Sequence, residues 1–293
     1  MISERGIHRP PSLPPSPLSR PFVACALAAF LALTACAPTP RAPSPVAAAS
    51  ATTCPPLPPP TTIAVADAQP GELHELFDLE DTPELFAPSP DDAAAAAYRA
   101  AVTQKLGVAP EPHALLSRQA AVMASASLPL EAQNGELVRS GRVGRIAPPN
   151  CIERALFARH AARFPLLTHP TEFGAFIVRG NGRVKLYFTS LDRVGGKLRG
   201  AVTDRVAADV AAGLVLVAHL HNHPFLFDRV PGDRMWTTPA TVADVAGGLA
   251  PSVTDVQLYG AFTREMKLRE AWLTNGFDGA HFSAADIQAL GSE

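Results

Sequence analysis

Three histidines at alternate positions, His219, His221 and His223, lie in residues 214–224, after an apolar segment and just before Pro224. The residues before them are β-prone, and a β-strand directs every second side chain to the same face. The three imidazoles are therefore expected on one side of a buried strand, at its end. Two imidazoles in such a pair, completed by a carboxylate from elsewhere in the chain, form a ligand set suited to zinc. The alternative is a purely structural role for histidines at a strand end.

The carboxylate predicted to complete this set is Asp244, in the Thr-x-x-Asp sequence of residues 241–244. These residues are expected to form the first turn of a helix. In such a turn Thr241 is also a common N-cap, and an acid at Asp244 is favoured by the helix dipole. Asp228 and Asp233 are competing ligand candidates, because they lie between the histidines and this turn.

Alternating helical and β-type patterns surround the histidines and predict an α/β domain. Helical patterns lie at 150–166 and 201–212, and a closing helix is expected at 284–290 after Ser283. Strand patterns lie at 171–178 and 183–189, joined by a Gly-Asn-Gly hairpin signal at 180–182. After residue 248, two further strands are predicted, Val253–Tyr259 and Met266–Leu273.

An acid stands at the start of the predicted hairpin: Glu172. A Glu there, then a helix, a strand ending in His221-Asn222-His223-Pro224, and a later Ser/Thr-x-x-Asp resemble the JAB/MPN metalloprotease family. The His-Asn-His-Pro sequence is most similar to the corresponding motif of the RadC-like branch. The resemblance covers residues 150–275, and the parts occur in the family's order.

The resemblance implies a fold, a cofactor and a reaction. The fold would be a three-layer α/β arrangement, a mixed sheet with flanking helices, related to the deaminase-like fold. His221, His223 and Asp244 would hold zinc and leave one position for water. Glu172 would take the proton of that water, and Thr241 would donate to the oxyanion formed at a peptide or isopeptide carbonyl. A solvated acid at Glu172 is the structural alternative.

Some features of the sequence depart from the family pattern. Thr241 replaces the usual Ser, which adds a methyl group near the oxyanion. The interval from His223 to Asp244 is about ten residues longer than usual in the family. His219 would point the same way as the pair, and a core or supporting role is expected for it. Glu153 is an alternative acid, although it lies on the predicted helix well before the hairpin.

The amino terminus resembles a bacterial lipoprotein signal, residues 1–36. A basic flank precedes an apolar run, Pro21–Ala35, which is shorter than the roughly 20 residues of a membrane span. The run ends at Cys36 in a lipobox-like sequence, so we expect lipidation of this cysteine and anchoring in the cell envelope, at the outer membrane. A plain signal peptide or an anchoring helix is the alternative. Residues 37–70 are rich in proline and predict an extended tether.

Residues 71–148 are predicted to be a helical extension, with helices at 91–106 and 112–125, and residues 149–293 to be the metalloprotease domain. A net charge of −2 without a dense basic block argues against nucleic acid as a partner. An oxidising compartment permits a disulfide between Cys54 and Cys151, but the sequence does not predict one.

The sequence therefore predicts a lipid-anchored, zinc-dependent hydrolase of an amide bond in a peptide or protein of the bacterial envelope. Two other hypotheses remain at this point. One is a catalytically silent MPN-type scaffold or binding lipoprotein, and the other is a protein that only binds or buffers zinc. Metal content and the effect of changing Glu172 would separate them.

Overall fold

The chain folds around one mixed β-sheet. In the computed structural model, the described residues are 53–195, 198–227 and 247–291. Eight strands are present in this part of the chain: β1 Thr61–Thr62, β2 Leu73–Glu80, β3 Arg145–Ala147, β4 Phe173–Gly180, β5 Arg183–Ser190, β6 Val215–Asn222, β7 Glu270–Thr274 and β8 Gly279–Ser283. Their order is β1-β2-β5-β4-β6-β7-β8-β3. Only β6 and β7 pair in parallel, and the other pairs are antiparallel.

Seven α-helices accompany the sheet within the described residues: α1 Ala93–Leu106, α2 Pro112–Ser125, α3 Pro129–Arg139, α4 Cys151–Ala161, α5 Gly200–Ala211, α6 Val253–Met266 and α7 Ala284–Ala289. A short 3-10 helix spans Pro83–Phe86. None of the described helices has the length and apolar character needed to cross a membrane.

Two apolar cores cover the two faces of the sheet. On β4, Phe176 and Val178 face a core shared with α5 and α6, whereas Ala175 and Ile177 face a core shared with α4. The alternation follows from the two-residue period of a strand, and both sets are apolar because both faces are buried. Helices therefore pack on both faces of the sheet, which confirms the predicted α/β class with flanking helices.

Several predicted elements are confirmed with small changes at their ends. The hairpin between β4 and β5 turns at Asn181 and Gly182, both with positive φ, as the Gly-Asn-Gly signal predicted. Helix α2 has the predicted bounds, and α1 ends at Gly107 in the left-handed conformation. The cap of α1 is Asp92, whose carboxylate accepts a hydrogen bond from the backbone N–H of the third residue of the helix.

The prediction of a strand at Val253–Tyr259 was wrong, because this segment begins helix α6. Ser252 caps the helix, and its buried residues, Val256, Tyr259, Phe262 and Met266, recur every three or four positions. That spacing gives one apolar helical face, which packs against the sheet. The predicted second strand is shorter than expected, Glu270–Thr274, and β8 was not predicted.

The region predicted as a helical extension contributes to the sheet as well. Leu73–Glu80, inside residues 71–148, forms β2 and pairs with β5 along eight residues. The described part of the predicted tether is also folded. Its Thr61–Thr62 pairs with β2, Ile63 is buried in a core, and Cys54 is bonded to Cys151 at the start of α4.

Candidate functional site

The histidine-bearing strand ends beside the amino terminus of helix α6. His219 and His221 lie on β6 and share the face of the sheet that packs on α6. His223 follows one residue after the strand, and its backbone N–H donates to the carbonyl of Thr274 on β7 at 2.9 Å. The strand pairing thus continues past the end of β6 and keeps the alternation through His223, as the sequence predicted.

Asp255, in the first turn of α6, faces the rings of His221 and His223. The Nε2 atoms of the two rings are 3.2 Å apart. One carboxylate oxygen of Asp255 is 3.5 Å from Nε2 of His221, and the other is 3.6 Å from Nε2 of His223. Three potential ligand atoms from two distant segments therefore converge on one point.

A capping box fixes the Asp255 carboxylate. It accepts hydrogen bonds from the backbone N–H and the hydroxyl of Ser252, at 2.9 and 2.8 Å. In return, the backbone N–H of Asp255 donates to the hydroxyl of Ser252. This reciprocal arrangement satisfies free N–H groups at the start of a helix, so the local folding of α6 also aims the carboxylate.

Each imidazole is also held from its far side. Nδ1 of His223 is 2.7 Å from the carbonyl oxygen of Gly248. A carbonyl can only accept, so this nitrogen carries a proton. Nδ1 of His221 is 3.0 Å from the hydroxyl of Tyr259, which is fully buried on α6. Such outer partners orient metal-binding imidazoles and select the nitrogen that faces the metal.

The geometry of these donors fits zinc. Ligands at the usual zinc distances of about 2.0–2.1 Å stand about 3.3 Å apart on a tetrahedron. The two Nε2 atoms are 3.2 Å apart, and each lies 3.5 or 3.6 Å from its nearer Asp255 oxygen, so these distances are close to that value. Two imidazoles and one carboxylate also match the three-ligand sets of catalytic zinc, which keep a fourth position open.

Glu172 lines the same cavity as the two histidines, immediately before β4. One of its carboxylate oxygens accepts a hydrogen bond of 2.7 Å from the backbone N–H of Gly195. Burial raises the pKa of Glu172, while the nearby His221 and His223 partly offset the rise. A raised pKa suits a carboxylate that must accept a proton and later release it near neutral pH.

Asp255 is the opposite electrostatic case. Burial by itself would raise its pKa, but the imidazoles of His221 and His223 hold it well below the ordinary value. The carboxylate is therefore ionised in this site. The two acids of the site thus differ in character, one suited to holding a cation and the other to carrying a proton.

The cavity around these groups has a volume of about 340 Å³. Its walls are largely apolar, with Met123, Leu198, Leu226 and Leu258 among them. Glu131 of helix α3 adds a third carboxylate. A concave, mostly apolar cavity with a few convergent polar groups is the usual form of a ligand or substrate site.

His219 has a structural environment. Its side chain is 2% exposed and packs against the rings of Phe176 and Phe262, at 4.9 and 5.4 Å between centroids. Burial lowers its pKa to about 3, so it is neutral. Among the described residues neither ring nitrogen has a hydrogen-bond partner. These contacts agree with the core role expected for it.

The structure brings together His221, His223 and Glu172 of the predicted site. Thr241 and Asp244, predicted as oxyanion donor and third ligand, lie outside the described residues, as do Asp228, Asp233 and the predicted lipidation site Cys36. Glu153, the alternative acid, is fully buried in the capping box of α4 and contacts His281 at 3.1 Å. It does not line the cavity.

Asp255 and Ser252 were missed at the sequence level. The signal was present, since residues 252–255 read Ser-Val-Thr-Asp and repeat the Ser/Thr-x-x-Asp spacing of residues 241–244. The apolar residues that follow also fit a strand, and a Ser/Thr-x-x-Asp sequence is a helix-start signal only before a helix. A helical assignment would have made Ser252 an N-cap and Asp255 a first-turn acid, the setting that had singled out Asp244.

No protein-family model, curated protein or solved structure matches this chain.

Proposed function

We propose that the chain is a zinc-dependent hydrolase that cleaves a peptide or isopeptide amide bond. The observation that carries the proposal is the convergence of His221, His223 and Asp255 in a cavity that also contains Glu172. A structural ion pair would need only one acid and one histidine. Two imidazoles, an ionised carboxylate and a separate acid with a raised pKa favour metal-assisted hydrolysis.

The site also supports a JAB/MPN-type domain. Glu172, the His-x-His pair and Ser252-x-x-Asp255 reproduce the family's motif in order. Ser252 supplies the serine that the family usually has, so the departure noted for Thr241 does not arise with this assignment. The interval from His223 to the aspartate becomes longer still, which is the main difference from the family pattern. A mixed sheet with helices on both faces agrees with the expected architecture.

The roles of the residues follow from their positions. His221, His223 and Asp255 would hold the zinc ion. When bound there, zinc supplies Lewis-acid chemistry: it polarises a carbonyl and makes water acidic enough to react near neutral pH. Glu172 accepts the proton of the attacking water and delivers it to the leaving amine. The hydroxyl of Ser252 lines the cavity but donates to the Asp255 carboxylate in this structure, so it would act as the oxyanion donor only after turning away from that carboxylate.

The place of action is proposed from the amino terminus and the disulfide. A lipoprotein signal ending at Cys36 would anchor the chain in the bacterial envelope, at the outer membrane. The bond between Cys54 and Cys151 supports export, because disulfides persist in oxidising compartments. The substrate would then be a peptide or protein of the envelope.

The test combines metal analysis with a Glu172→Gln variant. The purified native chain is expected to hold close to one zinc ion, and the variant should hold the same amount. Incubation with envelope extract, followed by sequencing of new amino termini, should show cleavage by the native chain. We expect cleavage by Glu172→Gln to be lower by about 10²–10⁴-fold.

A Glu136→Gln variant is the matched control, since Glu136 pairs with Arg139 on the outside of α3. It should cleave as the native chain does. Zinc without any cleavage would favour a silent scaffold or a metal-binding lipoprotein. A native chain that binds no zinc, or a Glu172→Gln variant with native cleavage, would refute the mechanism.

A further inference from the structure

We propose that helices α2 and α3, which lie outside the family-like region, are part of the metal centre. Through Gln119 and Glu131 they position the segment of residues 248–255, which carries the Asp255 ligand and the carbonyl that orients His223. The inference rests on the proposed function, because it assigns positioning residues to the same zinc site.

Glu131 holds the amino end of helix α6. Its Oε1 accepts a hydrogen bond of 3.0 Å from the backbone N–H of Val253, the first residue of that helix. This N–H has no partner inside the helix, and an acidic group at a helix amino terminus is favourable. Asp255 follows two residues later, so the contact fixes the helical turn that aims the ligand.

Gln119 holds the other part of the segment. Its Nε2 donates to the carbonyl of Ala250 at 3.3 Å, and the side chain is only 7% exposed. The amide also lies directly against Gly248, because a Cβ added there would stand 2.2 Å from its Oε1. The Gly248 carbonyl is the acceptor for Nδ1 of His223. The packing of Gln119 therefore sets the peptide that orients one ligand ring.

These side-chain contacts matter because residues 247–252 form neither helix nor strand. Backbone pairing within a sheet or a helix therefore does not fix their position. Asn275 supplies one further contact, donating to the carbonyl of Gly247 at 3.0 Å. Gln119 contacts Ala250 and Glu131 contacts Val253, in addition to the burial of Leu249 and Ala250 in the apolar core.

The test measures zinc affinity of the full chain by competition with a chromogenic chelator. Glu131→Met keeps the side-chain length but removes the acceptor, and we expect it to weaken zinc binding about tenfold. Glu131→Gln keeps an oxygen that can accept from Val253, so it should bind within about threefold of the native chain. Gln119→Leu should weaken binding to an extent similar to that of Glu131→Met. Glu136→Met, the same substitution on the exposed side of α3, is the matched control and should bind zinc as the native chain does.

Two further readouts separate positioning from a general loss of fold. In the cobalt(II)-loaded protein, Glu131→Met should shift the d–d absorption bands, whereas Glu131→Gln and Glu136→Met should not. With chelator present, the midpoint of thermal unfolding of Glu131→Met should lie only about 2–4 °C below that of Glu131→Gln, the cost of one lost hydrogen bond, so that both variants are folded when zinc is added.

Native zinc affinity and an unshifted cobalt spectrum in both Glu131→Met and Gln119→Leu would overturn the inference and leave the proposed function intact. Equal weakening by Glu131→Gln and Glu131→Met would also overturn it, because charge and not positioning would then be responsible. A native chain that binds no zinc would remove the proposed function and this inference together.

Discussion

Replacement of Asp255 by Asn tests the assignment of the third zinc ligand most directly. The side chain keeps its size, but it loses the charge that faces His221 and His223. The chain offers a matched control in Asp286, which closes the capping box of α7 with Ser283 just as Asp255 does with Ser252. The hydrogen bonds of the two boxes are nearly equal in length, 2.8 Å at Asp286 and 2.9 Å at Asp255 from the serine backbone N–H.

Both substitutions weaken a helix cap, but only Asp255→Asn also removes a proposed zinc ligand. Each weakens a helix cap, which costs about 1 kcal/mol of the free energy of unfolding. Free zinc at 100 times the dissociation constant of the native chain adds about 2.7 kcal/mol. For a folded unit of this size that is a rise in Tm of about 5–11 °C.

Loss of an outer partner of a metal ligand weakens binding about 10–100-fold, and loss of a ligand costs at least as much. We expect a loss of about 100-fold or more for Asp255→Asn, which removes a direct ligand, and the contribution of zinc should then fall to about 0.4 kcal/mol or less. The Asp286→Asn variant should keep the full rise. The two variants should differ in the zinc-dependent rise in Tm because Asp255 faces the imidazoles of His221 and His223.

The assay is thermal unfolding at buffered free zinc and again with chelator, for the native chain and both variants. Because Asp255 also faces two imidazoles without metal, the zinc-dependent rise of each variant is measured from its own midpoint with chelator. With zinc, only the native chain and Asp286→Asn should shift upward. A full zinc-dependent rise in Asp255→Asn would refute the ligand assignment, and a rise in none of the three would refute the zinc site.

Three further predictions concern residues outside the proposed ligand set. Tyr259→Phe removes the partner of Nδ1 of His221 and should weaken zinc binding about 10–100-fold by chelator competition; unchanged affinity would contradict the orienting role. Burial alone would raise the pKa of Glu72, but hydrogen bonds from two arginines lower it to about 2 from 4.5. The contribution of the ionised Glu72 carboxylate to the free energy of unfolding is therefore complete above about pH 4.5 and is lost as the pH falls towards 2. After allowance for solvent screening, Glu72→Gln should lower the free energy of unfolding by about 1–2 kcal/mol at pH 7. Denaturant unfolding below pH 4 should show a progressively smaller difference between this variant and the native chain. Replacing both Cys54 and Cys151, which are 97 residues apart, by Ala should lower the free energy of unfolding by about 2–4 kcal/mol, and an effect below 0.5 kcal/mol would argue against the bond.

Local patterns predicted much of the fold. The turn at Asn181 and Gly182, the bounds of α2 and the strand that carries the histidines all follow from signals spread over a few neighbouring residues. The same method failed for Val253–Met266. Its first residues are β-prone, whereas the helical spacing becomes clear only when Val256, Tyr259 and Phe262 are considered together.

The role of residues 71–148 could not be predicted from local patterns. Helices α2 and α3 carry ordinary helical signals, and nothing in them indicates chemistry. Their Gln119 and Glu131 reach the site only because the fold places them against residues 248–253. Likewise, β2 was missed because its pairing with β5 joins residues more than a hundred positions apart.

The sequence by itself determined that the two imidazoles of the candidate site, His221 and His223, share one face at the end of a strand. The alternation of His219, His221 and His223 is a property of the strand, and a strand orients neighbouring side chains without help from distant residues. The choice of carboxylate was different, because two segments carry the same Ser/Thr-x-x-Asp pattern and both fit a helix start equally well. Only the tertiary structure brought Asp255 to the rings, since a pairing across more than thirty residues depends on how the whole chain packs and not on any local preference.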